Sequence, residues 1–562
     1  MKNFTIILIL FFSMNTFYAK SQQQFSPPPD WLKKAIFYQV YPQSFKDSDG
    51  DGIGDLRGLI SKLDYIKSIG LNAIWVNPCF ESAYQDAGYD VVDFYKVAKR
   101  YGTNADLENL FKEAHLRKIK ICLDLVAGHT SDQHKWFKMS SLKTKNELTD
   151  RYIWTNSKNI KPERFVSGDF QRDGTYLKNF FDCQPALNYG YAHPNPEHPW
   201  EQPVTAPGPQ QTRKELYKII AFWMDKGADG FRVDMASSLI KEDKVFSETN
   251  KLWGEVRNWF QASYPQGVLI AEWSNPKQSI NAGFMIDFMM HFNVPGYPSL
   301  FFNNEGVFTR DNCYFSIEGN GSPVEFIKNY TEQLTVVGNR GYVSIPSANH
   351  DLQRPHSGTR NTEDQLKVVM TFLLTLKGIP FIYYGDEIGM RYIPNLPNKE
   401  GSVIEPGINR AGTRTPMQWT HAANAGFSDG KVQDFYLPID PMPNRPDVLS
   451  QEKNPHSLLN FTRKLIKLRL SSEALGNTGE FTALYAKANT YPLVYKRSTK
   501  NEEYIIVVNP SGKDVNAIFT FDGIRSLEPV IVNNIKIEII PGKNSLQLAA
   551  SKVSYGIFKV KH

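Results

Sequence analysis

GFRVDMA, residues 230–236, is a short apolar run closing on an arginine and an acid, Arg232 and Asp234. Such a run reads as a buried parallel strand whose last residues emerge at the rim of a sheet or barrel. Three other segments have the same form: KICLDLVAGHT (120–130) with Asp124 and His129, VLIAEW (268–273) with Glu272, and YVSIPSANHD (342–351) with His350 and Asp351. One such ending marks no more than the place where a strand meets water. Four in order bring carboxylates, two histidines and an arginine to strand ends. Strand termination alone does not explain that set.

Outward from these segments, short β-type runs alternate with helical stretches from Ala35 onward. The strands predicted are AIFYQV (35–40), LNAIWVN (71–77), IKICLDLV (119–126), DGFRVD (229–234), VLIAEW (268–273), FMIDFMMHF (284–292), GYVSIPS (341–347) and GIPFIYYG (378–385). Helical patterns such as LRGLISKLDYIKSIG (56–70) and LYKIIAFWMDKG (216–227) lie between them. Alternation of this kind predicts an α/β fold with a parallel sheet. An open doubly wound sheet fits it too, but a count of eight favours a (β/α)8 TIM barrel. The expected barrel spans 22–129 and 208–472, with 1–21 in front of it. The aperiodic stretch 130–207, too long for a plain loop, is expected to be a small inserted domain after strand 3. From 473 to 562 seven β-type runs separated by turn residues predict a C-terminal antiparallel β-sandwich.

Composition bounds the function. The hydrophobic content of 41% supports a large core, and 64 basic against 58 acidic residues leave a net charge of only +6, with no like-charge block. That balance does not point to nucleic acid. Residues 1–21, with Lys2, an apolar stretch from Ile6 to Phe12 and small residues at Ala19 and Ser21, read as a secretory signal, giving a mature start at Gln22 and an exported, periplasmic or secreted, protein. That stretch is short for a bilayer span, and no later segment reads as transmembrane. The four cysteines, Cys79, Cys122, Cys183 and Cys313, fit no zinc spacing.

Breaking an acetal such as a glycosidic bond takes a proton for the leaving oxygen and a partner for the oxocarbenium-like carbon, which two carboxylates supply. Asp234 and Glu272 end consecutive strands, hence neighbours on the barrel rim, and Arg232 lies on the same strand face as Asp234. At this point the chain resembles the α-amylase family of glycoside hydrolases, whose signature segments these four match in order and spacing. The resemblance implies Asp234 as nucleophile, Glu272 as general acid/base and Asp351 as the third acid, with His129 and His350 on the hydroxyls of the cleaved sugar. DAGYDVVDFY (86–95) matches the family's D-x-G-Y motif, implying Asp86 on the far hydroxyls of the terminal sugar and Tyr89 beneath its ring. Asp86 also reads as a turn cap beside Gly88. RAGTRTPMQW (410–419) resembles a segment of the exo-acting α-glucosidase and trehalose synthase branches, which implies that Arg414 closes the pocket against Asp86. The expected partner is therefore an α-glucan oligosaccharide.

DSDGDGIGD, residues 47–55, alternates acids with glycines so that oxygens converge on one hard cation. Gly58 stands where an EF-hand has its closing glutamate, and a strand precedes the loop. It resembles the barrel-loop Ca2+ site of the oligo-1,6-glucosidase branch, implying Asp47, Asp49, Asp51, Asp55 and the Ile53 carbonyl as ligands in a structural role. Two departures stand out. Gly128 replaces the asparagine many α-amylases use for a calcium between barrel and inserted domain, and Ala186 in QPALN (184–188) replaces the aspartate of the α-glucosidase branch. Hydrolysis, transglycosylation or isomerisation to trehalose would use the same carboxylates. A non-catalytic sugar-binding relative would be expected to have lost Asp234, Glu272 or Asp351, and all three are present.

Overall fold

The computed structural model describes residues 25–290, 296–301, 313–405 and 408–562; the expected signal segment 1–21 and the expected start at Gln22 lie outside them. All eight predicted strands form: β1 (Phe37–Val40), β2 (Ala73–Val76), β3 (Lys120–Leu125), β4 (Gly230–Val233), β5 (Val268–Ala271), β6 (Ile286–Phe288), β7 (Tyr342–Ser344) and β8 (Phe381–Tyr383). Each of β1 to β6 pairs in parallel with the next, and β1 also pairs with β8. A parallel bridge from Pro346 to Phe381, with Ser347 N–H donating to the Phe381 carbonyl at 2.9 Å, closes β7 on β8. The fold is a (β/α)8 barrel. Its interior is filled rather than hollow: Phe37 stacks on Phe381 at 4.4 Å, and Phe288 and Trp75 pack against the same ring.

The strands are buried on both faces, which is why they read as unbroken apolar runs. The helices start where local chemistry dictates. Thr103 and Asp106 form a capping box at α1 (Asn104–Leu116), and Pro207 opens α2 (Pro207–Asp225). Between β3 and α2 the chain makes only a short helix (Lys135–Ser140) and a two-residue hairpin pair (Phe165–Val166 with Tyr176–Leu177), packed on aromatic rings of Phe137, Trp154 and Tyr176. This is the inserted domain after strand 3. The helix preceding β8, α3 (Glu363–Thr375), carries a second capping box, Thr362 with Gln365.

The C-terminal region holds six antiparallel strands, β9 (Glu480–Tyr485), β10 (Leu493–Ser498), β11 (Glu503–Asn509), β12 (Val515–Thr520), β13 (Ser526–Ile539) and β14 (Ser545–Lys561). Two sequence expectations change here. PVIVNN and KIEIIPG are one strand, β13, because Asn534 (φ 53) takes up a bulge in the pairing with β14 instead of a turn. SLQLAA (545–550), which lacks a predicted strand, is the first half of β14 and pairs with β12. The second half pairs with β11, so the strand serves both halves of the sandwich and Val507, Phe519, Leu548 and Phe558 meet in its core. Two buried arginines meet at the junction with the barrel: Arg497 of β10, and Arg469, which precedes this region and reaches it by donating to Asn477 Oδ1 at 2.7 Å. Arg469 donates to the carbonyls of Leu374 and Leu376 at 2.8 and 2.9 Å, and Arg497 to that of Thr375, so guanidiniums satisfy the C-terminal carbonyls of α3.

Candidate active site

Gly230 sets the central geometry. Its φ is 153°, and a Cβ there would lie 2.1 Å from the Val268 carbonyl oxygen, so only glycine lets β4 lie this close to β5. The residues that follow each strand, Asp234 and Glu272, are then held on a single guanidinium. Arg232 Nη1 donates to Asp234 Oδ1 at 2.9 Å and Nη2 to Glu272 Oε1 at 2.7 Å. The same Nη1 reaches Asp124 Oδ1 at 2.8 Å. Met235, in a left-handed conformation (φ 42), turns its N–H onto Glu272 Oε2 at 2.8 Å. Three carboxylates thus share one cation. Burial pushes Asp234 well above the usual carboxylate range, Glu272 adds a like charge, and Arg232 opposes both. Asp124 is raised to about 6, by burial against the pull of Arg232.

Asp124 reads in the sequence only as a strand end; here it is the anchor of the floor. It accepts from Trp75 Nε1 at 3.0 Å and from the Tyr89 hydroxyl at 2.8 Å. Tyr89 stacks on His350 with centroids 5.2 Å apart and planes 9° from parallel. The tautomers of both histidines follow from their donors. Gln39 and Asn77 amides donate to His350 Nδ1, at 3.1 and 3.2 Å, so its Nε2 carries the proton given to Asp351 Oδ2 at 3.1 Å. Asn179 Nδ2 donates to His129 Nδ1 at 2.9 Å, so His129 Nε2–H donates to the Tyr89 carbonyl at 3.1 Å.

The wall opposite is built by two arginines, and here the structure corrects the sequence. Asp86 does not pair with Arg414. Its partner is Arg410, whose Nη2 lies 2.8 Å from Asp86 Oδ1 while Nη1 lies 2.9 Å from Asp351 Oδ1. Gln184 donates to the other Asp86 oxygen at 2.8 Å. Arg414 instead donates to Asp351 Oδ1 at 2.9 Å and to the His350 carbonyl at 2.7 Å. Burial pushes Asp86 upward, against Arg410, Arg414 and Gln184. Asp351 is also opposed by burial, yet His350, Arg410 and Arg414 hold it well below the usual carboxylate range. His350 is neutral at pH 7, so it contributes a hydrogen bond and the guanidiniums supply the charge. Among the three acids, side-chain access is greatest at Asp351 (29%) and Glu272 (13%), against 9% at Asp234.

Sequence reading also missed Asp287, at the middle of β6. This fully buried carboxylate accepts the N–H groups of Trp273, Ser274 and Asn275 at 3.1, 3.2 and 3.0 Å, pinning the chain that leaves Glu272. The only signal for it was an acid inside an apolar run. Near Gly128, Lys241 Nζ donates to the Ser238 carbonyl at 2.5 Å and approaches Asn179 Oδ1 at 3.5 Å.

On the loop after β1, carboxylate oxygens of Asp47, Asp49 and Asp55 lie within 4.8 Å of one another. That all-oxygen cluster suits a hard cation with bonds of about 2.3–2.6 Å. Asp51 stands outside the group, its Oδ1 accepting the Ile53 N–H at 2.8 Å.

The histidines carry a pH prediction. Burial lowers His129 to about 3 and His350 to about 4. Between those values and the unfolded value of about 6.5, the unfolded chain binds more protons, so stability falls with acidification across that window. Each histidine contributes up to one proton, or about 1.4 kcal/mol per pH unit. His129→Asn should therefore flatten the slope of unfolding free energy between about pH 4 and 6. An unchanged slope in denaturant titrations would contradict a buried neutral His129.

Comparisons with known proteins agree with this geometry. The family described as "Alpha amylase, catalytic domain" matches residues 39–478. The oligo-1,6-glucosidase of Parageobacillus thermoglucosidasius is 31% identical over 546 residues, covering 86% of this chain and 91% of that one. Trehalose synthase/amylase TreS of Mycolicibacterium smegmatis is 32% identical over 523 residues, covering 84% and 82%. The crystal structure of the trehalulose synthase MutB from Pseudomonas mesoacidophila MX-45 superposes with a TM-score of 0.77 at 27% identity, covering 95% of this chain and all of that one. The family match over the barrel, together with Asp234, Glu272 and Asp351 at its strand ends, gives the class, a glucosidase or transglycosylase. The chain belongs to the α-amylase family of glycoside hydrolases.

Proposed function

We propose that this chain is an exported α-glucosidase that removes single glucose units, with retention, from the non-reducing ends of α-linked, mainly α-1,4, gluco-oligosaccharides. The observation that carries the reading is the Asp86–Arg410–Asp351 bridge, which spans from the loop after β2 to the segments after β7 and β8. An ion pair there walls the far side of the sugar site and leaves a dead-end pocket. In it, Asp234 attacks the anomeric carbon while Glu272 protonates the leaving oxygen; Glu272 then takes a proton from the water that releases glucose. Two carboxylates on adjacent nitrogens of Arg232 suit the roughly 5–5.5 Å separation of retaining enzymes better than a gap wide enough for water. Asp351 and His350 orient the ring hydroxyls, with Arg414 fixing Asp351, and Tyr89 and His129 complete the floor. The reading of export rests on residues 1–21. No helix among the described residues is long and apolar enough to cross a membrane.

A time course of products from maltose, isomaltose, panose, trehalose and soluble starch tests this. Glucose from maltose and panose with little release from starch is the expected outcome. Trehalose accumulating from maltose would replace hydrolysis by isomerisation, a second reading favoured by the likeness to a trehalose synthase/amylase and to a trehalulose synthase.

The loop at 47–55 is proposed to hold one structural Ca2+ through Asp47, Asp49 and Asp55, with Asp51 and the Ile53 carbonyl at its margin. An ion bound only by the folded state adds about 2.7 kcal/mol when it is present at about 100 times its Kd. Chelation is therefore expected to lower Tm while molecules that stay folded keep their turnover. An unchanged Tm would mean that the loop holds no ion.

A further inference from the structure

Glu400 lies outside every segment assigned a role above, yet its backbone is held at φ 48, a left-handed conformation unfavourable for a side chain of this length. Its carboxylate is gripped at both oxygens. Arg100 donates from Nη1 to Oε1 at 2.6 Å and from Nη2 to Oε2 at 3.0 Å, and the Tyr436 hydroxyl donates to Oε2 at 3.0 Å. The pair is shielded, with 13% and 15% of the side chains exposed, and the Arg100 guanidinium lies 3.3 Å from the Tyr84 ring centroid. Two-point contacts of this kind fix geometry as well as supplying energy.

What they fix is the next residue. A Cβ on Gly401 (φ 69) would meet the Gln85 carbonyl oxygen at 2.3 Å and Asp86 Cα at 3.4 Å, so this loop lies directly on the backbone that carries Asp86. The Gly401 carbonyl accepts from Arg410 Nη2 at 2.7 Å, the same nitrogen that holds Asp86. A second connection runs through Tyr436 to the Tyr41 hydroxyl at 3.2 Å, and the Tyr41 ring faces the Arg414 guanidinium at 5.4 Å. Both arginines that bracket Asp351 are thus supported from Glu400.

We infer that Glu400, locked by Arg100, is a positioning residue that aims Arg410 at Asp86 and so fixes where the pocket ends and how tightly it binds a terminal sugar. The inference rests on the exo-acting reading. It acts through Arg410 and not through the reacting atoms, so it predicts a change in binding and end-specificity ahead of turnover.

The test compares wild type, Glu400→Gln and Arg100→Lys on maltose, and on maltoheptaoside free or blocked at its non-reducing end. For Glu400→Gln, KM for maltose should rise about 10-fold with kcat within about 3-fold, and cleavage of the blocked relative to the free substrate should rise about 10-fold. Arg100→Lys, which keeps the charge but not the two-point grip, should fall between. Glu400→Gln with KM and substrate ratio both unmoved, or with only Tm lowered, would overturn the inference while leaving the exo reading intact. Wild type that already cleaves both heptaosides equally would overturn the exo reading and, with it, the role given to Glu400. Should Glu400→Gln fail to fold, the same substrate ratio measured on Arg100→Lys decides between these outcomes.

Discussion

Asp234→Asn is expected to leave a folded protein whose turnover is lower by about 10⁴-fold or more, since the amide keeps the carboxylate's shape but cannot form the glycosyl ester. Asn can still accept from Arg232 Nη1, the 2.9 Å contact that orients the native side chain. Loss of its negative charge also removes one like charge from a cluster in which Asp124, Asp234 and Glu272 share one guanidinium, so Tm should hold or rise. Glu272→Gln should lose about 10²–10⁴-fold, more for poor leaving groups than for activated ones. Activity of Asp234→Asn above roughly a tenth of wild type, with Tm unchanged, would take the nucleophile's role away from Asp234.

Arg232→Met has the second largest effect, and it falls on stability as well as on rate. Arg232 is almost fully buried, packed 5.0 Å from the Trp75 ring, and is the cation common to the three acids. Removing one partner of a buried ion cluster typically costs about 3–5 kcal/mol, because the remaining charges stay buried without compensation. The acids would respond by holding protons, since burial already pushes Asp124 and Asp234 upward and Arg232 is what opposes it. The variant should therefore be most stable at acid pH and lose stability as pH rises through the raised carboxyl values. That is the sign for groups whose folded form binds the extra proton. Asp124→Asn in the same chain should recover part of the loss. Urea titrations of the single and double variants check this, and equal stability of Arg232→Met and wild type at pH 7 would contradict it.

Much of this was legible in the sequence because barrel strands are short, doubly buried and end on their functional residues. GFRVD and VLIAEW announce both their burial and their chemistry, and their adjacency follows from order alone. What escaped depends on turns. Arg410 and Arg414 lie four residues apart in RAGTR, and a 3-10 turn over Arg410–Thr413, entered through Asn409, decides which of them faces Asp86. No composition or period distinguishes the two. Glu400 carried no signal at all: its importance comes from a partner 300 positions away and from a backbone angle that only the fold imposes. In the C-terminal sandwich, Asn533–Asn534 has the look of a turn, but twelve paired positions along β14 absorb it as a bulge.

The most direct measurement is rapid NMR of the first glucose released by the purified protein from free and from non-reducing-end-blocked maltoheptaoside. Retention by Asp234 and Glu272 in a pocket closed by Asp86 and Arg410 predicts α-glucose appearing first from the free substrate and little product from the blocked one. β-Glucose first would contradict the double-displacement chemistry, and internal fragments released from the blocked substrate at the free rate would contradict the closed pocket.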